Sequence, residues 1–191
     1  MPDPELNHWR RFKYLDPVST LLALREAEIS VAGTATDPKV MRLRTAAIKP
    51  EREARDAALF SLGMSRRLDC RVLFAPVEEA DYDFVTRTDY QGTQYFTPVQ
   101  LKELVPEDLN PSTSLDSLLA SLRRKRVFSS TALAIRVNRT LKQASFSSEQ
   151  FKGLPFKEVW LFWASSPDAR RWRLLGNALT DAVISEFEYP T

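Results

Sequence analysis

The stretch Asp83-Phe84-Val85-Thr86-Arg87-Thr88-Asp89-Tyr90-Gln91-Gly92-Thr93-Gln94-Tyr95-Phe96-Thr97-Pro98-Val99-Gln100-Leu101-Lys102 decides how this chain is read. Asp83 to Arg87 has the β-branched and aromatic content of a strand. Asp89 to Thr93 reads as a hairpin turn in which Gly92 supplies the positive φ. Gln94 to Leu104 returns as the next strand, with Pro98 marking a bend or an edge. Side chains alternate along a strand, so Gln100 and Lys102 point one way and Val99 and Leu101 the other. A polar pair spaced by two between apolar residues needs a chemical explanation. If the strands pair through the Gln91-Gly92 turn, Asp83 returns toward Gln100 and Lys102, in a register that the sequence leaves open.

Working outward, a helix is predicted from Pro50 to about Leu62. Pro50 suits its first turn, Glu51 and Glu53 sit near the positive end of its dipole, and Gly63 is its expected terminator. Glu53 lies on the same side as Ala57, Phe60 and Met64, at the border of an apolar stripe. Arg71 to Ala75 reads as a strand closed by Pro76, so three strands form a meander after this helix. Ser114 is an N-cap for a helix in which Leu115, Leu118, Leu119 and Leu122 recur at helical spacing. Thr131 to Val137 is a strand, Ser147 to Phe151 a short helix, and Val159 to Ala164 a strand covered on both faces. A looser helix spans Ser19 to Ile29. Arg171 to Pro190 holds either a strand and a helix or two strands. The order predicts an α/β fold, a mixed central sheet flanked by helices.

The chain has 191 residues, a length that fits one domain with a real core. With 43% hydrophobic and 27% charged residues, it is neither a mainly disordered chain nor a coiled coil. One cysteine and one histidine exclude an internal disulfide framework, a Cys-rich zinc cluster and the usual His-based metal sites. Carboxylate and lysine chemistry stays open. The formal net charge is only +2, so any nucleic-acid affinity must come from local patches. The sequence has no long apolar run and no basic, apolar secretion signal, so the expectation is an intracellular, cytoplasmic protein with no membrane span.

The chemistry that fits the central residues is metal-assisted phosphodiester hydrolysis. Asp83 offers an anionic oxygen to a hard cation such as Mg²⁺ or Mn²⁺, and Gln100 offers a carbonyl oxygen. Lys102 orients or helps deprotonate water, or neutralises charge growing on phosphorus. Glu53 completes the set from the preceding helix, with Glu79 and Asp81 as substitutes from the carboxylate-dense run before Asp83.

With Asp83, Gln100-Leu101-Lys102 and Glu53 so placed, the sequence resembles the PD-(D/E)XK, or restriction-endonuclease-like, nuclease superfamily. Asp83 looks like the acidic residue near the start of one core strand. Gln100-Leu101-Lys102 looks like the (E/D/Q)-x-K element of the next strand, in its glutamine form. Glu53 is placed like the glutamate that many members carry on the preceding helix. The resemblance implies an α-β-β-β-α-β core over about residues 50–138 of a single domain spanning 1–191. N-terminal helical and C-terminal strand-rich extensions would complete it. It also implies DNA cleavage with a divalent metal. Tyr82 stands where the family has a proline, and Gln100 where an acid is usual.

Arg123, Arg124, Lys125 and Arg126 form the first candidate patch for nucleic-acid phosphates, with Ser129 and Ser130 nearby; the alternative is a basic helix end that favours the dipole. Arg66 and Arg67 form a second, smaller surface patch. Arg170-Arg171-Trp172-Arg173 permits base stacking, or sits in a hairpin at the domain edge. Cys70 is expected to be a buried thiol, and His8 a poor ligand on a terminal arm. Two other functions compete with a DNA endonuclease. One is a catalytically inactive nuclease-fold protein that binds nucleic acid or a protein partner. The other is a purely structural interaction domain, suggested by Trp160, Trp163, Trp172, Phe187 and Tyr189.

Overall fold

A computed structural model describes residues 4–32, 49–77, 79, 81–125, 130–139, 146–180 and 182–191. Five helices and seven strands run through them. They are α1 (Pro4–Trp9), α2 (Pro17–Ala32), α3 (Lys49–Leu68), β1 (Val72–Pro76), β2 (Phe84–Tyr90) and β3 (Thr93–Leu104). Then come α4 (Leu115–Leu122), β4 (Ala132–Val137), α5 (Ser148–Phe151), β5 (Glu158–Ala164), β6 (Arg171–Gly176) and β7 (Val183–Glu188).

The strands form one sheet in sequence order, β1 to β7. β2 is antiparallel to its neighbours β1 and β3, β3, β4 and β5 are parallel, and β6 is antiparallel to its neighbours β5 and β7. The two parallel steps are the two whose connections carry α4 and α5, because parallel neighbours need a long crossover. The expectation of a mixed α/β sheet with flanking helices therefore stands, and the C-terminal segment resolves into two strands.

Each face of the sheet has its own core. Phe74, Phe84, Val99, Ala132, Ala134, Trp160, Phe162 and Trp172 pack against α2 and α3. Leu104, Leu133, Ile135, Val159 and Leu161 pack against α4 and α5. β5 is buried on both sides, as its unbroken apolar run requires. Trp160 and Trp163 consequently face opposite cores. Burying a ring or aliphatic side chain of this size stabilises the fold by roughly 1.5–3 kcal/mol.

Two glycines carry different duties. Gln91 and Gly92 both have positive φ, 49° and 77°, which closes the two-residue hairpin turn. Gly63 is no terminator: α3 continues five residues past it, to Leu68. It is small because Phe187 of β7 lies against it, and an added Cβ would stand 2.9 Å from Phe187 Cε1. Phe187 is buried and stacked on Trp172, so its ring has little room to retreat. Gly63→Ala is expected to destabilise the protein by about 1–2 kcal/mol through overpacking, outweighing the helix-propensity gain. Urea unfolding checks this; a stabilised variant would show that the ring is not held there.

β3 exchanges neighbours along its length. Residues 93–98 pair only with β2, Val99 pairs with both Phe84 and Ala132, and residues 100–104 pair only with β4. Pro98 sits just before β4 begins, where a missing N–H costs no ladder bond on that side.

Candidate active site at the changeover of strand β3

The register Phe84 opposite Val99 puts Asp83 opposite Gln100, at the point where β2 stops and β3 loses its first neighbour. The backbone of Asp83 is fixed on both sides. Its N–H donates to Val99 O at 2.9 Å, and its carbonyl accepts from Val77 N at 3.1 Å. Its side chain continues the ladder past the strand end. Oδ2 accepts the backbone N–H of Leu101 at 2.6 Å and the side-chain amide of Gln100. Such multiple donation holds a carboxylate in one orientation, which a catalytic or metal-binding acid needs.

Gln100 is buried, so it does not belong to a solvated strand face. It directs its amide nitrogen at Asp83. Its carbonyl oxygen can approach a cation only if the amide turns over. Lys102 is half-buried on the same side of β3 as Gln100, and its ammonium donates to Leu101 O at 2.8 Å.

Glu53 comes from the second turn of α3. Glu53 and Asp83 line one cavity of about 250 Å³, together with Pro50, Ala57, Phe84 and Leu101. Gln100 and Lys102 do not line it, because they leave β3 on the opposite face from Leu101. Asp83 is where the two sides meet, touched by Gln100 and open to the Glu53 cavity. Glu79 and Asp81 are exposed and do not line it either. Glu79 stands 3.9 Å from His8 instead. The loop into Asp83 is pinned from the N-terminus: the indole of buried Trp9 donates to the Tyr82 hydroxyl at 3.1 Å.

A second charged group fastens α3 to the sheet beside this site. Asp56, buried one turn after Glu53, accepts from Arg136 of β4 at 2.6 Å. Glu103, next to Lys102, lies 3.8 Å from Arg52 and accepts from Asn138 at 2.8 Å. Burial pushes the Asp56 carboxyl up to about 6, against the opposing pull of Arg136. Sequence reasoning passed over this pair. Its signal was Arg136, a single charge inside the apolar run Ala132 to Val137, and Asp56, the last charge of Glu51 to Asp56 before the apolar Ala57-Ala58-Leu59-Phe60.

The basic patches divide. Arg123 bonds the carbonyls of Lys152, at 3.0 Å, and Gln150, tying the end of α4 to α5. Arg124 and Lys125 are exposed, while Arg126 and Ser129 lie outside the described residues. Arg67 is no surface patch: it donates to Gly176 O at 2.6 Å and Val183 O at 3.0 Å and lies over the Trp160 ring. Trp172 is buried, which removes it from base stacking. Cys70 is half-exposed rather than buried, and partial burial raises its thiol pKa.

A larger groove, about 500 Å³, runs between the second half of α3 and the β2–β3 hairpin, past Met64, Thr88, Tyr95 and Trp160. Its one carboxylate among the described residues, Glu158, accepts the indole N–H of Trp160 at 3.0 Å. It therefore lacks the paired acids of the smaller cavity. No group of three or more His, Cys, Asp or Glu side chains among the described residues is placed to hold a metal ion. No helix among them is long and apolar enough to cross a membrane. Neither a protein-family model, nor a curated protein, nor a solved structure matches this chain.

Proposed function

We propose that this protein hydrolyses DNA phosphodiester bonds with a divalent metal, in the manner of the PD-(D/E)XK nucleases it resembles. The observation that carries the reading is the convergence on Asp83: Gln100 bonded to it, and Glu53 lining the same cavity. The order α3, β1, β2, β3, α4, β4 is also the order that the resemblance implies. The donor set suits a hard cation, being all oxygen: Asp83, Glu53 and, with its amide turned over, Gln100. Two carboxylates neutralise a divalent ion even without a third acid. Bound Mg²⁺ or Mn²⁺ supplies Lewis-acid polarisation of the phosphoryl oxygen and an acidified water.

The chain's own residues do the rest. Among the described residues, the hydrogen bonds to the Asp83 carboxylate go to Oδ2, and Oδ1 is the oxygen that would be offered to the ion. Lys102 brings a positive charge beside Leu101, where it neutralises charge developing on the phosphate or orients the attacking water. The exposed Arg124 and Lys125 would meet the backbone of bound DNA. The test is incubation of plasmid and linear DNA with Mg²⁺ or Mn²⁺, against EDTA controls. Cleavage that needs the metal and disappears in Asp83→Ala and Lys102→Ala is expected. Cleavage unchanged in both variants would sink the proposal.

One observation favours a second reading, an inactive nuclease-fold protein that binds nucleic acid. Gln100 already satisfies Asp83 through its amide nitrogen, so the pair is self-sufficient without an ion. DNA binding with no cleavage in either metal, weakened by neutralising Arg124 and Lys125, would select it.

A further inference from the structure

We infer a second anion site, for a phosphate group, between α2, α3 and the C-terminal strand pair. A cavity of about 150 Å³ there is lined by Arg25, Arg55, Arg170, Glu28, Asp168 and Tyr189. Arg25 and Arg55 lie 5.9 and 5.7 Å from the centre of one ring, that of Tyr189. The ring is tethered at both ends: its hydroxyl donates to Leu21 O at 3.0 Å, and its backbone N–H to Arg170 O at 2.7 Å. Two guanidiniums are thus gathered on one tethered phenol, and Arg170 brings a third to the same cavity.

The carboxylates present do not match them. Glu28 is committed to Arg55, with Oε1 accepting from Nη1 at 2.6 Å. Asp168 is committed to its own turn, accepting from Ser166 Oγ at 2.5 Å and from Arg170 N at 3.2 Å. Arg170 Nε stands 3.7 Å from Asp168, too far for a good hydrogen bond. Arg55 Nε is a buried donor with no hydrogen-bond partner among the described residues. An oxyanion in the cavity would meet the guanidiniums that line it with charge-assisted hydrogen bonds. Arginine forks match the oxygens of phosphate, and the aromatic face keeps the guanidiniums oriented without neutralising them. Beside the cavity a wider groove of about 510 Å³ shares Asp168, Arg170 and Tyr189 and adds both Arg171 and Glu188, which gives a phosphate carried on a larger molecule a way in.

The site is independent of Asp83 and of any cleavage. Its test is thermal unfolding and calorimetric titration of the full chain with sodium phosphate, against chloride at matched ionic strength. A short oligonucleotide bearing a 5′-phosphate is compared with its 5′-hydroxyl twin. Saturable stabilisation by phosphate, weakened about tenfold in Arg25→Gln and in Arg170→Gln, is expected. Both residues lie outside the core, so the variants should fold; unaltered melting in chloride confirms it. Tighter binding of the 5′-phosphorylated strand assigns the site to a nucleic-acid end, whereas equal binding of the two strands assigns it to the free ion. The same response in chloride as in phosphate, or a phosphate response that both variants keep, would overturn the inference.

Discussion

Asp83→Asn and Lys102→Ala should each lower metal-dependent DNA cleavage by about a hundredfold or more, with little change in stability. Asparagine keeps the shape of Asp83 and leaves an oxygen for Gln100 and the Leu101 N–H, so the loop stays in place. What is lost is the negative charge on the oxygen that faces the cation. Lys102→Ala removes the ammonium assigned to the phosphate or the attacking water, and deleting one preorganised electrostatic contact commonly costs 10²- to 10³-fold in rate, ~3–4 kcal/mol. Both substitutions are read by single-turnover cleavage at saturating Mg²⁺, with a urea melt alongside. Gln100→Glu is the informative third variant. It sets a second carboxylate against Asp83, which repels without metal, so added Mn²⁺ should raise the melting temperature of this variant more than that of the wild type. Cleavage within threefold of wild type in both Asp83→Asn and Lys102→Ala would remove these residues from the reaction.

The largest stability effect is expected at Asp56. Asp56→Ala leaves the Arg136 guanidinium, whose side chain is only 16% exposed, without its partner. Breaking a buried pair from one side costs about 3–5 kcal/mol. The double replacement Asp56→Leu with Arg136→Met should recover most of that loss, because the desolvation cost of both charges disappears. The pH dependence follows from the raised carboxyl. The folded protein holds the Asp56 proton up to about pH 6, whereas the unfolded chain releases it near 3.8. The folded state binds the extra proton between those values, so this group's stability contribution is full below pH 3.8 and is lost as pH rises to about 6. The two pKa values differ by about two units, which amounts to about 3 kcal/mol. Urea titrations across that range should show the slope in the wild type and a flatter one in Asp56→Asn. An Asp56→Ala cost below about 1 kcal/mol would mean that the pair carries no such burden.

The hairpin was legible because its signals are local. Gly92 supplies the turn, alternation sets the faces, and strand lengths return Asp83 to Gln100. The register was not, since it depends on where β2 stops and β4 begins, a matter of tertiary pairing. Gly63 misled for a related reason: helix propensity reads it as an end, whereas Phe187, 124 positions away, explains why the residue must be small. Arg67 and Arg123 read as charge patches because a basic residue on a helix end carries no mark of the distant carbonyls it will bond. The C-terminal strands were ambiguous because Trp172 and Leu174 alternate over too few residues to separate a strand from a helix. Within the site, the sequence suggested that Asp83 comes near Gln100 and Lys102, with Glu53 on the neighbouring helix, and left the pairing itself open. The placement of Glu53 and Lys102 on opposite faces of β3 was not, since it follows from the way α3 lies on one face only.

The most direct measurement is anomalous diffraction from crystals of the protein soaked in Mn²⁺. A manganese peak is expected between Asp83 and Glu53, with the Gln100 amide turned to present its oxygen. Saturating Mn²⁺ with no peak at that cavity, and Gln100 still donating to Asp83, would contradict that placement.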